Sequence, residues 1–193
     1  MARNDTTSAI IDNILNLAVT GSALTASLVV PNLLVALDKP LDIFWKRMDK
    51  RSRERELRRV ISYMKSNHLL ESNYQHGLQI TNKGRARLEK VHFNSLSIQP
   101  PRKWDKKWRL VIYDIPESRK DGRKALTAKI TKLGFYQLQR SAWLHPFPCR
   151  NVVEMVASRY KVDRYLSYIE TARIDNQKVI IKKFKKKYPK TFF

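Results

Sequence analysis

The sequence predicts an α+β protein, with an N-terminal winged helix-turn-helix followed by a ferredoxin-like βαββαβ domain. Three observations predict it. A proline-containing break, Gln99-Pro100-Pro101-Arg102-Lys103, interrupts the chain near its middle, because proline lacks a backbone donor and cannot continue a helix. Ahead of the break, apolar residues recur at helical spacing around one short hairpin pattern. Behind it, strand and helix periods alternate. The boundaries read as 1–98 for the winged helix-turn-helix, 99–103 for the linker, 104–184 for the ferredoxin-like domain and 185–193 for a basic tail. A chain of 193 residues accommodates two such domains, each with its own core.

From the N-terminus, Ser8 reads as the cap of a first helix carrying Ile10, Ile11, Ile14, Leu15 and Ala18, and Pro31 as the opening of another with Leu33, Leu34 and Leu37. Residues 13–37 hold no charge, which is long enough on paper to cross a bilayer. The stretch is nevertheless polar, with Asn13, Asn16, Thr20, Ser22, Thr25, Ser27 and Asn32, and Gly21-Ser22 and Pro31 divide it. Short buried helices are expected there, with no membrane partner. Arg3 followed by Asp5 and Asp12 does not fit a signal peptide.

From Lys46 to Lys65 the chain carries nine basic and three acidic residues. At one hundred degrees per residue, Leu57, Val60, Ile61 and Met64 fall on one helical face, and Arg51, Arg55, Arg58, Ser62 and Lys65 line another. One side packs and the other presents guanidinium groups, whose planar fork suits a phosphate or a guanine edge. A solvated charged face is the plainer reading, with Glu54 and Glu56 partly neutralising it. The residues C-terminal to this helix favour the guanidinium reading. Leu69 to Tyr74, a His76-Gly77 turn and Leu78-Gln79-Ile80-Thr81 form a hairpin pattern, and Thr81 caps a helix that begins Asn82-Lys83-Gly84-Arg85. Helix, hairpin, helix is the closing half of a winged helix-turn-helix, whose second helix enters the major groove while the wing touches backbone or minor groove. The expected DNA contacts are Arg51, Arg55, Arg58, Arg59 and Lys65 on the helix, with His76 and Lys83 near the wing.

Past the linker, Leu110-Val111-Ile112-Tyr113 reads as a buried strand stopped by Asp114-Ile115-Pro116. Gly122 to Leu133 reads as a helix closed by Gly134, and Phe135 to His145 as a second strand. Asn151 to Tyr160 comes next as a second helix and Arg164 to Ala172 as a third strand, an order of β-α-β-(β)-α-β.

These residues carry a resemblance. Trp104-Asp105 to Trp108, Val111 to Pro116, Leu133-Gly134-Phe135-Tyr136-Gln137-Leu138-Gln139 and His145-Pro146 to Cys149 resemble the central domain of PaaX-type transcriptional repressors. That domain is in turn similar to the ferredoxin-like "Cas-two" subunit of CRISPR adaptation machinery. The likeness covers residues 104–184 and, more loosely, the winged-helix region. It implies a DNA-binding transcription regulator, a repressor, acting as a homodimer on double-stranded DNA. The alternative is a metal-dependent nuclease or CRISPR adaptation subunit, because Asp114 stands where that family carries an aspartate proposed to hold a divalent metal across a dimer interface. Magnesium or manganese belongs only to that alternative, and no cofactor is otherwise expected. One carboxylate per chain makes a weak magnesium site, so Asp114 reads first as a strand terminator capping the adjacent turn with Ser118. The sequence ends soon after this region, without the further helical domain of full PaaX-type repressors, and the resemblance does not reach an acyl-CoA effector.

Charge points to nucleic acid or an acidic membrane surface as partner. There are 39 Lys and Arg against 17 Asp and Glu, a net charge of +22. The excess is uneven, 15 against 9 through residue 100 and 24 against 8 beyond it. From Lys178 to Lys190 seven lysines occur with no acid, which reads as a solvated tail or extra affinity for phosphates. The one cysteine, Cys149, excludes an internal disulfide, fits a reducing cytoplasm and reads as a small packed residue. With four scattered histidines it makes no zinc pattern.

Overall fold

A computed structural model describes residues 3–20, 29–46, 48–73 and 77–191. It is an α+β protein with two antiparallel sheets, and the chain divides into two compact units, Met1–Asn94 and Ser95–Phe193. The division falls a few residues ahead of the expected 99–103 linker. The prolines belong to the second unit, where Thr191 Oγ1 donates to the Pro101 carbonyl and the Trp104 N–H donates to the Thr191 carbonyl.

The first unit runs α1 (Arg3–Val19), α2 (Val29–Leu37), α3 (Asp42–Trp45), α4 (Lys50–Ser66), β1 (Leu70–Asn73), β2 (Gly77–Ile80) and α5 (Asn82–Ser95). Its core gathers Ile10, Ile14, Leu15, Leu33, Leu37, Trp45, Leu57, Val60, Met64, Leu70 and Ile80. Ser8 does not cap α1. The helix starts at Arg3, and the Ser8 hydroxyl instead bonds the Asp12 carboxylate one turn on. Pro31 does lie in the first turn of α2, where its missing N–H costs nothing. Residues 21–28, which include Gly21-Ser22, lie outside the described residues, and among those described no helix is long and apolar enough to cross a membrane.

The second unit runs β3 (Trp108–Tyr113), α6 (Lys120–Lys132), β4 (Tyr136–Gln139), β5 (Ala142–His145), α7 (Arg150–Arg159), β6 (Leu166–Thr171) and α8 (Gln177–Lys187). The sheet order is β4-β5-β3-β6, every neighbouring pair antiparallel. The stretch expected as one strand over 135–145 is a hairpin, turned at Arg140-Ser141 with a register irregularity between Gln137 and Gln139. Tyr113 is tied by its hydroxyl to Thr127 of α6, and Trp143 Nε1 donates to that same hydroxyl. Gly134 ends α6 at φ +92, where a Cβ is strained.

The basic end of the chain is part of this unit. The expected tail at 185–193 begins inside α8, whose Ile180 and Phe184 are buried. The Phe184 ring lies 6.0 Å from both Trp108 and His145, and Thr191 is buried as well. Ile180 and Phe184 are four residues apart, on one face of the helix, so a Lys-rich sequence still has an anchoring stripe.

Candidate nucleic-acid interface

The candidate site is the outer face of α4. Its start is fixed by Asp49, whose carboxylate accepts from the Ser52 N–H at 3.0 Å. Bonds from Ser52 hold that carboxyl below the usual carboxylate range. Leu57, Val60, Ile61 and Met64 are buried, as the periodicity requires. Arg51, Arg55, Arg58 and Lys65 are exposed and, with Ser62, share the opposite stripe. Arg55 Nη2 donates to Ser52 Oγ at 3.2 Å, which steadies its guanidinium near the start of the stripe.

Two arginines of the same helix are committed elsewhere. Arg53 donates to the Met48 and Trp45 carbonyls and to Asp38, and its guanidinium sits over the Trp45 ring at 5.5 Å. Arg59, expected as a DNA contact, lies off the stripe and is bound by Glu56 and by Thr7 Oγ1. The Glu56 bond holds its pKa up. Reaching a phosphate means breaking that pair, so Arg59 is the weakest member of the expected set.

The stripe meets the hairpin. Arg58, Ser62 and Lys65 border a groove of about 390 Å³ that is also lined by Val30, Ile61, Ser72, Gly77 and Leu78. The hairpin pairs Leu70 with Ile80 and Asn73 with Gly77, while His76, the expected tip contact, lies outside the described residues. The junction after β2 is tightly specified. Thr81 Oγ1 accepts from the Gly84 N–H at 3.1 Å and donates to the His68 carbonyl at 2.6 Å. A Cβ on Gly84 would stand 2.3 Å from the Leu69 carbonyl oxygen, so glycine lets α5 close on the strand. Lys83 is exposed in the first turn of α5. That helix is anchored by Arg87, which pairs with Asp12 at 3.0 Å and donates to Ser8 Oγ, and by His92 against Asn16.

Sequence reading did not find Val30 or Ser72. Both reach the groove only through tertiary folding, and neither residue type carries a local signal for it.

In the second unit, Asp114 is exposed and its main-chain N–H donates to the Tyr165 carbonyl. The expected bond from its carboxylate to Ser118 is not made among the described residues. Those residues hold no group of three or more His, Cys, Asp or Glu side chains able to share a metal ion. Cys149 is buried, and burial pushes its thiol up to about 11, the opposite of what a thiolate nucleophile needs.

The first unit thus carries an exposed arginine stripe at a groove beside a two-stranded hairpin, and it is followed by a second, more basic α+β unit. Residues 101–180 match the family described as the PaaX protein central Cas2-like domain, so the second unit belongs to that family, as its resemblance over 104–184 implies. No curated protein matches the chain.

Proposed function

We propose that this chain is a DNA-binding transcription regulator of the PaaX type, a repressor that works as a homodimer. The first unit is read as a winged helix-turn-helix, with α4 as the groove-reading helix and β1-β2 as the wing. The second is read as a ferredoxin-like domain, since a βαββαβ order with sheet order β4-β5-β3-β6 fits that topology. The observation that carries the reading is the exposed stripe of Arg51, Arg55, Arg58 and Lys65, ending at the groove beside the hairpin. Arginine at such a stripe can bond guanine edges in two places, and duplex DNA fits a projecting helix.

Pairing of two copies is supported by the sheet. Strand β6 is an edge strand, and Ile169 on it and Ile112 on β3 are exposed, with Leu110 half-buried directly opposite Ile169. An apolar patch on the sheet face beside an open edge strand is a liability in a single copy and an asset in a pair. Two chains bring two α4 helices to two half-sites.

The test is selection of duplexes from a randomised pool by the purified chain, together with its sedimentation mass. The reading expects an enriched sequence with two related half-sites and a dimer that Ile169→Asp converts to monomer. No enriched sequence, or a wild-type monomer at micromolar concentration, would refute it.

A further inference from the structure

A concavity of the second unit lies away from the α4 stripe in sequence. It measures about 970 Å³ and is walled by the segment before β3, the loop after β6 and one face of α8. We propose that this cleft binds single-stranded nucleic acid, with an unpaired base set against Trp104 and Ile181 and phosphates held by Lys103, Lys106, Arg173 and Lys185.

Charge is the first argument. Four cations line the cleft against one acid, Asp175. Lys103, Lys106 and Arg173 are exposed and make no ion pair among the described residues, so their charge remains available to a ligand. Each ordered phosphate contact releases counterions from a single strand, which makes such a cluster a phosphate track rather than a solubility device.

The second argument is a fixed aromatic platform. The Trp104 indole N–H is shared between the Lys107 and Pro146 carbonyls at 3.0 and 2.9 Å, and its ring packs edge-on against Trp108 at 4.8 Å. The polar edge of the indole is therefore engaged within the protein, and the half-buried residue lines the cleft. The walls are held in place without a ligand. The Trp104 N–H is bonded to Thr191, and α8 is anchored by Ile180 and Phe184. A fixed aromatic ring beside a row of cations is the combination by which proteins hold unpaired bases, since every base has a stacking face.

Shape separates this occupant from a duplex. A concave cleft admits a splayed base and its flanking phosphates, whereas a double helix needs a projecting element or a broad groove. The track also continues beyond the cleft. Gln177, Ile181 and Lys185 line it at one-turn spacing, and the adjoining row of α8 carries exposed Lys178, Lys182 and Lys186, where further phosphates can lie.

The geometry supplies its own reporter. Trp45, Trp108 and Trp143 are buried at 1%, 0% and 4% exposure, so Trp104 is the tryptophan that a ligand in solution can reach. Titration of the full chain with an oligothymidylate of about eight nucleotides should quench tryptophan emission saturably. The double variant Lys106→Gln/Arg173→Gln, altered only at exposed positions, should bind about tenfold more weakly. It should also lower the slope of log affinity against log salt by about 0.7 for each phosphate it no longer neutralises. Arg58→Ala should leave this titration unchanged, which separates failure here from failure of the duplex-reading proposal. Absence of quenching, quenching unaltered in the double variant, or equal quenching by a duplex of the same length would each overturn the assignment.

Discussion

The chain carries two strongly basic helices, α4 and α8, built on the same amphipathic plan with different chemistry. In α4 the positive face is mostly arginine and is edited by acids. Glu56 takes Arg59 and Asp38 takes Arg53, and what remains is a narrow stripe of Arg51, Arg55, Arg58 and Lys65. In α8 the positive residues are all lysine, and the helix contains no acid. Arginine with a steadied fork discriminates among bond geometries, whereas a lysine-rich face attracts any phosphate. The difference between the helices teaches that high charge alone does not locate a reader. Ion pairs that remove some cations define the pattern left for others.

The largest expected effect lies in α8 and is structural. Phe184→Ala opens a cavity against Trp108 and His145 and should destabilise the second unit by about 3 to 5 kcal/mol in chemical denaturation. Deleting the chain after Lys178 removes Ile180 and Phe184 together. Such a truncation therefore cannot serve as a charge-only comparison between the helices.

The next effect comes from His145. It is fully buried, its Nδ1 accepts from the Phe147 N–H, and burial lowers its pKa to about 4. Because the folded pKa is below the unfolded value of about 6.5, the unfolded chain takes up the proton first as the solution is acidified. Stability from the neutral ring is present above pH 6.5 and is lost progressively toward pH 4. The expected loss between pH 7 and pH 5 is about 2 kcal/mol, read from urea midpoints at the two values. A similar loss in His145→Gln would trace it to other groups.

The smallest stability effect is expected at the exposed lysines. Lys182→Gln/Lys186→Gln should change stability by less than about 0.5 kcal/mol. It should nevertheless weaken binding to every duplex alike and reduce the salt slope by about 0.9 for each phosphate left without its lysine. A sequence-dependent loss would erase the contrast between the two helices.

Much of this plan was legible in the sequence because it rests on periodicity. The buried face of α4, the Thr81 cap and the alternation of β3, α6, α7 and β6 follow from the spacing of apolar and breaker residues. What was not legible depended on distant partners or unusual turns. Arg59 looks like its neighbours until Thr7, 52 residues away, is brought beside it. Residues 135–145 read as one strand because Arg140-Ser141 lacks the glycine or asparagine that marks a tight hairpin. The density of lysines in α8 hid the Ile180 and Phe184 stripe, although its four-residue spacing was present. The groove between α4 and the hairpin joins Val30, Arg58 and Ser72, and no local pattern links residues so far apart.

The central claim is that α4 reads sequence while α8 and its surroundings supply general affinity. It is tested most directly by titrating wild type and Arg55→Ala/Arg58→Ala against the selected duplex and a scrambled duplex at several salt concentrations. The account predicts that the variant loses about 1 to 3 kcal/mol of discrimination per base contact removed, with a smaller loss on scrambled DNA. Equal losses on both duplexes would mean that the stripe from Arg51 to Lys65 is an electrostatic patch, and would contradict the assignment of α4 as the reading helix.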